Sequence, residues 1–369
     1  MISHFESDVL IVGGGPAGTS AALSLLNYSN LKVAIVEQSA FDGIKVGEQI
    51  NPSLFELLEY LKISRSSFSE NSFIHGYSSH AAWGSSRIVS RESIFSTQEE
   101  NYQLDREQFD SLLLIKASKK GATIFPRTRC IDFRQTENNG WEADLMHQSR
   151  GRILLQAKYL IDATGRHANV CRKLGIDSVK HDELMAVGTF LHLKDSVVPR
   201  QEILIETIKE GWWYCATLPN RKMTVTLFTD AGILKEKQLQ KKENWERLLS
   251  ITSHIKHKLK DELSYEGLWI KSAFSQITNS AVRNNFIAVG DAAASFDPIS
   301  SMGIGFAISS ACHATRAILD YNRGYQFAIA DYQQNVYNIF ENYLSVKSQF
   351  YKKEKRWQDS AFWYKRTGS

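Results

Sequence analysis

Hydrophobic positions in this chain come in short runs separated by polar or glycine-rich stretches. Residues 8–12 (DVLIV) are an apolar, β-branched run of the kind that fills a buried parallel strand. Residues 19–26 (TSAALSLL) space their apolar side chains as a helix does, and residues 32–36 (KVAIV) predict a second strand. Two further strand-sized runs lie far downstream, at 159–162 (YLID) and 286–289 (FIAV), and a helical pattern opens near Gly303 and runs to about Leu319. Between them, residues 186–193, 202–206 and 223–229 alternate apolar and polar positions, which predicts an antiparallel sheet. The serine-rich stretch 64–72 reads as a loop or interrupted helix, and 235–242 as a solvated charged run.

The first strand and helix are joined by Gly13-Gly14-Gly15-Pro16-Ala17-Gly18, so Gly13, Gly15 and Gly18 satisfy GxGxxG. Gly13 permits the tight turn, Gly15 lets backbone approach a pyrophosphate, and Gly18 lets helix and strand pack closely. Pro16 and Ala17 open a helix whose free N–H groups and positive dipole end suit phosphate. The second strand ends at Glu37, nineteen residues after Gly18, where a carboxylate can accept from both ribose hydroxyls and would repel a 2′-phosphate. Strand, turn, helix, strand and acid together point to FAD or NAD rather than NADP.

Length and composition narrow the setting. At 369 residues and 41.9 kDa the chain is large enough for two or three units with a sizeable core. Its 43% hydrophobic and 23% charged residues exclude collagen-like, disordered and disulfide-scaffold classes. The apolar runs are strand-sized, so no spanning helix is expected, and acidic Glu6 and Asp8 stand where a secretory signal would be basic. Cys130, Cys171, Cys215 and Cys312 are far apart and form no metal spacing, so the expected metal is none and the expected location cytoplasmic. A net charge of +4 is too small to argue for nucleic acid. Residues 346–369 carry seven basic and two acidic side chains interleaved with aromatics. That tail reads as a terminal helix packed on the dinucleotide-binding unit with solvated lysines, or as a docking surface for an acidic protein partner or, more weakly, a membrane.

Four more segments carry a family resemblance. Gly290-Asp291, small residues after it, Pro298, and the helix opened by Gly303 and Gly305 resemble the second flavin fingerprint of FAD-dependent hydroxylases. Asp162-Ala163-Thr164-Gly165 with Arg172 resembles their middle segment, and Asp105-Arg106 the segment whose arginine contacts FAD. Lys45-Val46-Gly47-Glu48-Gln49-Ile50-Asn51-Pro52 resembles the loop of flavin-dependent halogenases and their relatives. The resemblance implies non-covalent FAD held by Gly13, Gly15, Pro16, Ala17, Gly18, Glu37, Gly47, Arg106, Asp162, Gly165, Gly290, Asp291, Pro298, Gly303 and Gly305. No second GxGxxG follows a strand, so electrons would come from a docking nicotinamide, a partner reductase or the substrate.

The chain departs from the halogenase pattern. No lysine stands between Lys62 and Lys116, and Ser300 and Met302 replace a glutamate and a threonine of the halide site, which argues against halogenation. Gly211-Trp212-Trp213-Tyr214, Leu218-Pro219 and the ending through Trp357 and Ser360-Ala361-Phe362-Trp363 resemble instead the GoxB/LodB-type flavoproteins. These are FAD-dependent maturation proteins for cysteine tryptophylquinone in quinoprotein amino-acid oxidases.

That resemblance implies an α/β, flavin-hydroxylase-like Rossmann-type fold with an antiparallel-sheet substrate domain and C-terminal helices. The expected division is 1–75, 101–180 and 274–320 for FAD, 76–100 and 181–273 for substrate, and 321–369 as a C-terminal helical segment. The implied activity is a monooxygenase, with O2 as co-substrate and a tryptophan of a precursor protein as acceptor. Alternatives are a small-molecule aromatic monooxygenase, a prenyl reductase, or a flavin-bearing docking factor without turnover. Glu48, Trp213 and Ser301 are the catalytic candidates. Adjacent strand residues face opposite ways, so only one of Trp212 and Trp213 is expected to face the site.

Overall fold

The computed structural model describes residues 2–76, 78–90, 101–196, 198–259 and 263–368. Tyr77 and residues 91–100, both within the expected substrate segment, lie outside the described residues.

The strand at Ser3–Val12 is the centre of an eight-stranded sheet. Parallel neighbours flank it: Val33–Val36 on one side, with Leu10 opposite Ala34, and Gly151–Asp162 on the other, with Leu10 opposite Leu160. Thr123–Phe125 and Phe286–Ala288 continue the parallel ladder outward. Val9, Leu10 and Ile11 are wholly buried, because helices cover both faces here. Strand order reverses at the end of this central strand, so the GxGxxG turn emerges at a topological switch point, where open α/β sheets bind ligands.

Five helices matter for the site: α1 (Pro16–Tyr28), α2 (Arg106–Lys119), α3 (Gly303–Asn322), α4 (Ala328–Tyr351) and α5 (Ala361–Thr367). Small residues let α1 and α3 approach closely, and Thr315 Oγ1 donates to Ser24 Oγ across the contact at 2.7 Å. A second eight-stranded sheet is mostly antiparallel, with Leu184–Leu193, Lys222–Asp230, Gly211–Leu218 and Glu202–Ile208 adjacent in that order. Ser78–Ala82 joins its edge, parallel to Glu202–Ile208, and Trp269–Ser272 pairs with Leu184–Leu193.

The two sheet faces bury different clusters. Trp212, Ile205, Phe228 and Trp269 lie on the face that also receives Ile299 and Val46 from the flavin motifs. Trp213, Leu227 and Val225 lie on the other, under Trp245 and Leu248.

The tail differs from expectation in two ways. It docks on the antiparallel sheet rather than on the FAD-binding sheet: Trp363 Nε1 donates to the Ile208 carbonyl at 2.8 Å, and the Arg366 guanidinium clasps the Asp230 carboxylate at 2.5 and 3.1 Å. Lys347, expected among the solvated lysines, is buried and paired with Asp182. The physical reason is that burying Phe362 and Trp363 needs an apolar face, and the sheet supplies one.

Candidate active site

The central strand delivers Gly13 into a turn with φ +112°, where a Cβ would stand 2.1 Å from the Ala163 carbonyl oxygen. At Gly18 a Cβ would stand 1.9 Å from the Gly13 oxygen, so helix and turn touch backbone to backbone. Gly15 is the N-cap of α1, with Pro16 opening the helix, and has no side-chain cap. Space beyond it is open: a Cβ at Gly15 would meet nothing within 4 Å. The N–H groups of Ala17 and Gly18 therefore end in a free, positive helix terminus. Glu37 closes this end: Oε2 accepts from Gly14 N at 2.8 Å, and Oε1 accepts from Ser39 N at 2.8 Å and Ser39 Oγ at 2.7 Å.

Asp162 is placed differently from a ligand contact. Oδ1 accepts from Thr164 N and Oγ1 at 2.8 and 2.6 Å, Oδ2 accepts from Cys171 N at 2.9 Å, and the side chain is fully buried. Its carboxylate is spent on shaping the turn that leads to Gly165, whose φ is +73°. Any effect on a cofactor passes through that turn, which corrects the expectation of direct contact.

The second flavin segment meets the first at Gly290, φ +58°, where a Cβ would be 2.8 Å from Ala17 Cβ. Asp291 pairs with Arg166, whose Nε lies 3.3 Å from Oδ2 and whose Nη1 donates to the Ser272 carbonyl at 2.8 Å. Sequence reasoning misses Arg166 and picks out Arg172, which donates instead to Asn169 Oδ1 at 3.3 Å. Asp297 and Pro298 then lead through Ser301, a non-glycine residue with φ +54°, into α3. The α3 N-terminus also has no side-chain cap, and Cβ atoms at Gly303 and Gly305 would project into open space.

Residues 45–52 form the third wall. Gly47 has φ +89°, and Arg106 on α2 fixes the loop by donating from Nη1 to the Val46 and Gly47 carbonyls at 2.5 and 2.9 Å. Its Nε and Nη2 pair with Asp110 at 3.1 and 3.0 Å. Glu48 beside it is 6% exposed, and its Oε1 has no partner among the described residues. Burial pushes its carboxyl up to about 7, although the Arg106 charge pulls the other way.

Opposite Gln49 in the next strand stands Gln103, buried, with its Nε2 unpartnered and its Oε1 3.4 Å from Tyr214 Oη. Tyr214 begins a row across the second sheet: Tyr214 faces Thr226, Thr226 faces Gly188, and Gly188 faces Trp269. The Trp269 indole lies over Gly188, where a Cβ would be 2.5 Å from its ring, and its Nε1 also lacks a partner among the described residues. Gln103 and Thr226 carry no signal in the sequence, and Tyr214 only as the end of the Gly211–Tyr214 motif, because only strand register aligns the three. Unpaired buried polar atoms demand an explanation, and a bound molecule is one.

Trp213 falls outside this arrangement. Its ring packs at 5.0 Å from Trp245 on the far sheet face, so it is a core residue and not the catalytic candidate expected. Trp212 points the right way but is buried against Phe228, and its Nε1 donates to Tyr351 Oη at 3.0 Å. Neither tryptophan of the pair opens on the site. A cleft of about 590 Å³ lies elsewhere, among Leu239, Asn244, Arg247 and Ile251 behind Trp213, and none of the motif residues lines it.

Two uncapped helix termini, a glycine-lined cradle open where a Cβ would point, and a buried acid facing it fit a flavin dinucleotide. The fold and this cradle define the class: an FAD-dependent oxidoreductase. Residues 6–332 match the family described as FAD binding domain, and the chain belongs to that family. Within it the chain is of the LodB type: it is 39% identical over 360 residues to LodB of Marinomonas mediterranea, described as an FAD-dependent oxidoreductase, covering 97% of this chain and 96% of that protein. Among solved structures it is similar to the flavin-dependent halogenase CmlS, with TM-score 0.85, 25% identity, and coverage of 98% of this chain and 67% of that one. It shares its fold with QhpG, a peptidyl tryptophan dihydroxylase essential for tryptophylquinone cofactor biogenesis, at TM-score 0.77, 21% identity, and coverage of 98% and 78%.

Proposed function

We propose that this protein is an FAD-dependent monooxygenase that oxygenates a tryptophan side chain of a precursor protein during tryptophylquinone formation. The observation that carries the reading is the row Gln103, Tyr214, Thr226 and Trp269, with buried Glu48 on the loop that leads to Gln49. Glu48, Gln103 and Trp269 each keep a buried polar atom unpartnered among the described residues. The likeness to LodB and to the fold of QhpG, which acts on a peptidyl tryptophan, supports the same choice.

When bound and reduced, FAD supplies the activation of O2. The chain's own residues do the rest. The α1 terminus with Gly13, Gly15, Pro16, Ala17 and Gly18 binds the pyrophosphate, and Glu37 holds the ribose. Asp291, positioned by Arg166, takes the ribityl chain, while the α3 terminus at Gly303 and Gly305 stabilises negative charge at the pyrimidine end. Gly47, Gly165, Gly290 and Pro298 shape the walls, and Arg106 fixes the loop that carries Glu48. Glu48 Oε1 takes up the proton released from the indole, as a carboxyl titrating near neutrality can do. Gln103 and Tyr214 orient the acceptor, and Trp269 stacks on its ring. The second sheet, with Ser78–Ala82, is the substrate unit in this reading.

Halogenation is disfavoured by the residues themselves. The Ser300 hydroxyl is engaged with the Asp297 carbonyl at 2.8 Å, Met302 is apolar, and no lysine falls between Lys62 and Lys116. No described helix is long and apolar enough to cross a membrane.

The test is single-turnover chemistry on the FAD-loaded protein. Chemically reduced protein is mixed with isotopically labelled O2 and a tryptophan-bearing precursor, and the precursor peptides are weighed by mass spectrometry. Labelled oxygen on tryptophan is the expected result. A halogenated peptide with added halide, or labelled oxygen on a small aromatic with the precursor untouched, overturns it. A precursor matured equally by a variant unable to hold FAD identifies a docking factor.

A further inference from the structure

Two tyrosines of α4 grip the turn that precedes the α3 terminus. Asp297 is fully buried, yet every polar group it has is paired. Its N–H donates to Tyr343 Oη at 2.7 Å, Oδ1 accepts from Ile299 N at 3.0 Å, and Oδ2 accepts from Tyr351 Oη at 2.7 Å. The Asp297 carbonyl accepts from Ser300 Oγ at 2.8 Å. Tyr343, Lys347 and Tyr351 follow at four-residue spacing, so all three share one face of α4. Lys347 Nζ donates to Ser275 Oγ at 2.8 Å and to Asp182, and Ser275 Oγ is 2.7 Å from Tyr343 Oη. Tyr351 Oη in turn accepts from Trp212 Nε1, so the ladder reaches from the flavin turn to the second sheet.

What the ladder holds is a strained turn that leads into the α3 terminus. Ser301 keeps φ +54°, a conformation that a non-glycine residue holds only where its surroundings over-determine it. Directly after it the uncapped N–H groups of α3 begin. A helix terminus acts within its first turn only, and hydrogen bonds weaken steeply with angle, so small displacements there change the local potential. Two-electron reduction with uptake of one proton leaves one negative charge on the flavin ring, and a positive terminus favours that form.

We propose that Tyr343 and Tyr351 are positioning residues for the flavin: by gripping Asp297 they aim the α3 terminus and so set how strongly the reduced cofactor is favoured over the oxidised one. This rests on the reading that the α3 terminus faces the flavin. It gives α4 a role in the redox poise of a site it does not line.

The experiment is an equilibrium reductive titration of the FAD-loaded protein against a reference dye, without any precursor, for Tyr343→Phe, Tyr351→Phe and the double variant. Each is expected to retain FAD, to shift its visible absorption bands, and to lower the midpoint potential. The single variants should lose about tenfold in preference for reduced over oxidised flavin, about 30 mV for a two-electron couple, and the double variant more. Potentials and spectra unchanged, with only the melting temperature lowered, overturn the proposal. Should either phenylalanine variant fail to fold, Ser275→Ala decides, since it removes a hydrogen-bond partner of Tyr343 and of Lys347 while leaving every residue of α4 in place. A smaller shift in the same direction supports the proposal, and no shift overturns it. Gly305→Val separates this from the underlying reading. If it leaves FAD affinity intact, the α3 terminus does not face the cofactor; if it abolishes binding while the tyrosine variants keep their potential, only the positioning role fails.

Discussion

At the phosphate end of the cradle the polar side chains are paired within the protein: Glu37 accepts from Gly14 and Ser39, and Asp162 from Thr164 and Cys171. At the other end Glu48, Gln103 and Trp269 are buried, and each keeps a polar atom unpartnered among the described residues. The first end can be finished before any ligand arrives, because it binds with backbone N–H groups that a turn and a helix create anyway. The second is finished only by what enters it. An end built on backbone tolerates no added atoms where its turns touch, as at Gly13 and Gly18; an end built on side chains tolerates substitution but loses chemistry.

Gly13→Ala attacks the first end and is expected to have the largest effect. Its new Cβ would overlap the Ala163 oxygen at 2.1 Å on a backbone with φ +112°, costing about 3 kcal/mol or more. The flavin-to-protein absorbance ratio of the purified variant should fall close to zero; a normal ratio would mean the turn is not rigid.

Glu48→Gln attacks the second end and should leave FAD bound. Single-turnover oxygenation is expected to drop by roughly 10²-fold or more. In the parent protein the rate should rise with pH through about 7 as the carboxyl ionises, and this rise should vanish in the variant. Stability gives an independent check. A carboxyl lifted from 4.5 to about 7 by folding favours the folded state fully below pH 4.5, and that contribution is lost as pH rises towards 7. Relative to Glu48→Gln, the parent should therefore lose roughly 3 kcal/mol across that window, read by denaturant unfolding at each pH.

Tyr214→Phe and Gln103→Leu sharpen the contrast with a smaller effect. Each removes one orienting group, worth roughly 1 kcal/mol or about fivefold in the apparent affinity for the precursor. Reduction and reoxidation of the flavin without precursor should be unaffected. Smallest is Ser301→Gly, which relieves the left-handed backbone and should raise stability by up to about 1 kcal/mol in thermal unfolding.

The same contrast explains what was legible. The expected strands at 8–12, 32–36 and 286–289 fall on Ser3–Val12, Val33–Val36 and Phe286–Ala288, because parallel strands buried on both faces must be continuously apolar. Ser3–Glu6 extend the first strand but are exposed and, apart from Phe5, polar, so periodicity could not reveal them. Arg166 was illegible for a different reason. Nothing local distinguishes it from Arg172; the fold alone brings it to Asp291. Of the tail's aromatics Phe350, Tyr351, Phe362 and Trp363 are buried as expected while Tyr364 is exposed, and the surface that buries the four was not legible.

By itself the sequence determined the cofactor class. GxGxxG between strand and helix, an acid ending the next strand, and a second glycine-rich helix start are local requirements of a backbone that must approach phosphate and a charged ring. Such requirements are written in neighbouring residues. Tertiary structure alone decided which polar groups meet over the site, that Trp213 is core, and that Lys347 is buried beside Asp182. Those outcomes depend on strand register and on which sheet face receives the tail, quantities set by packing between residues distant along the chain.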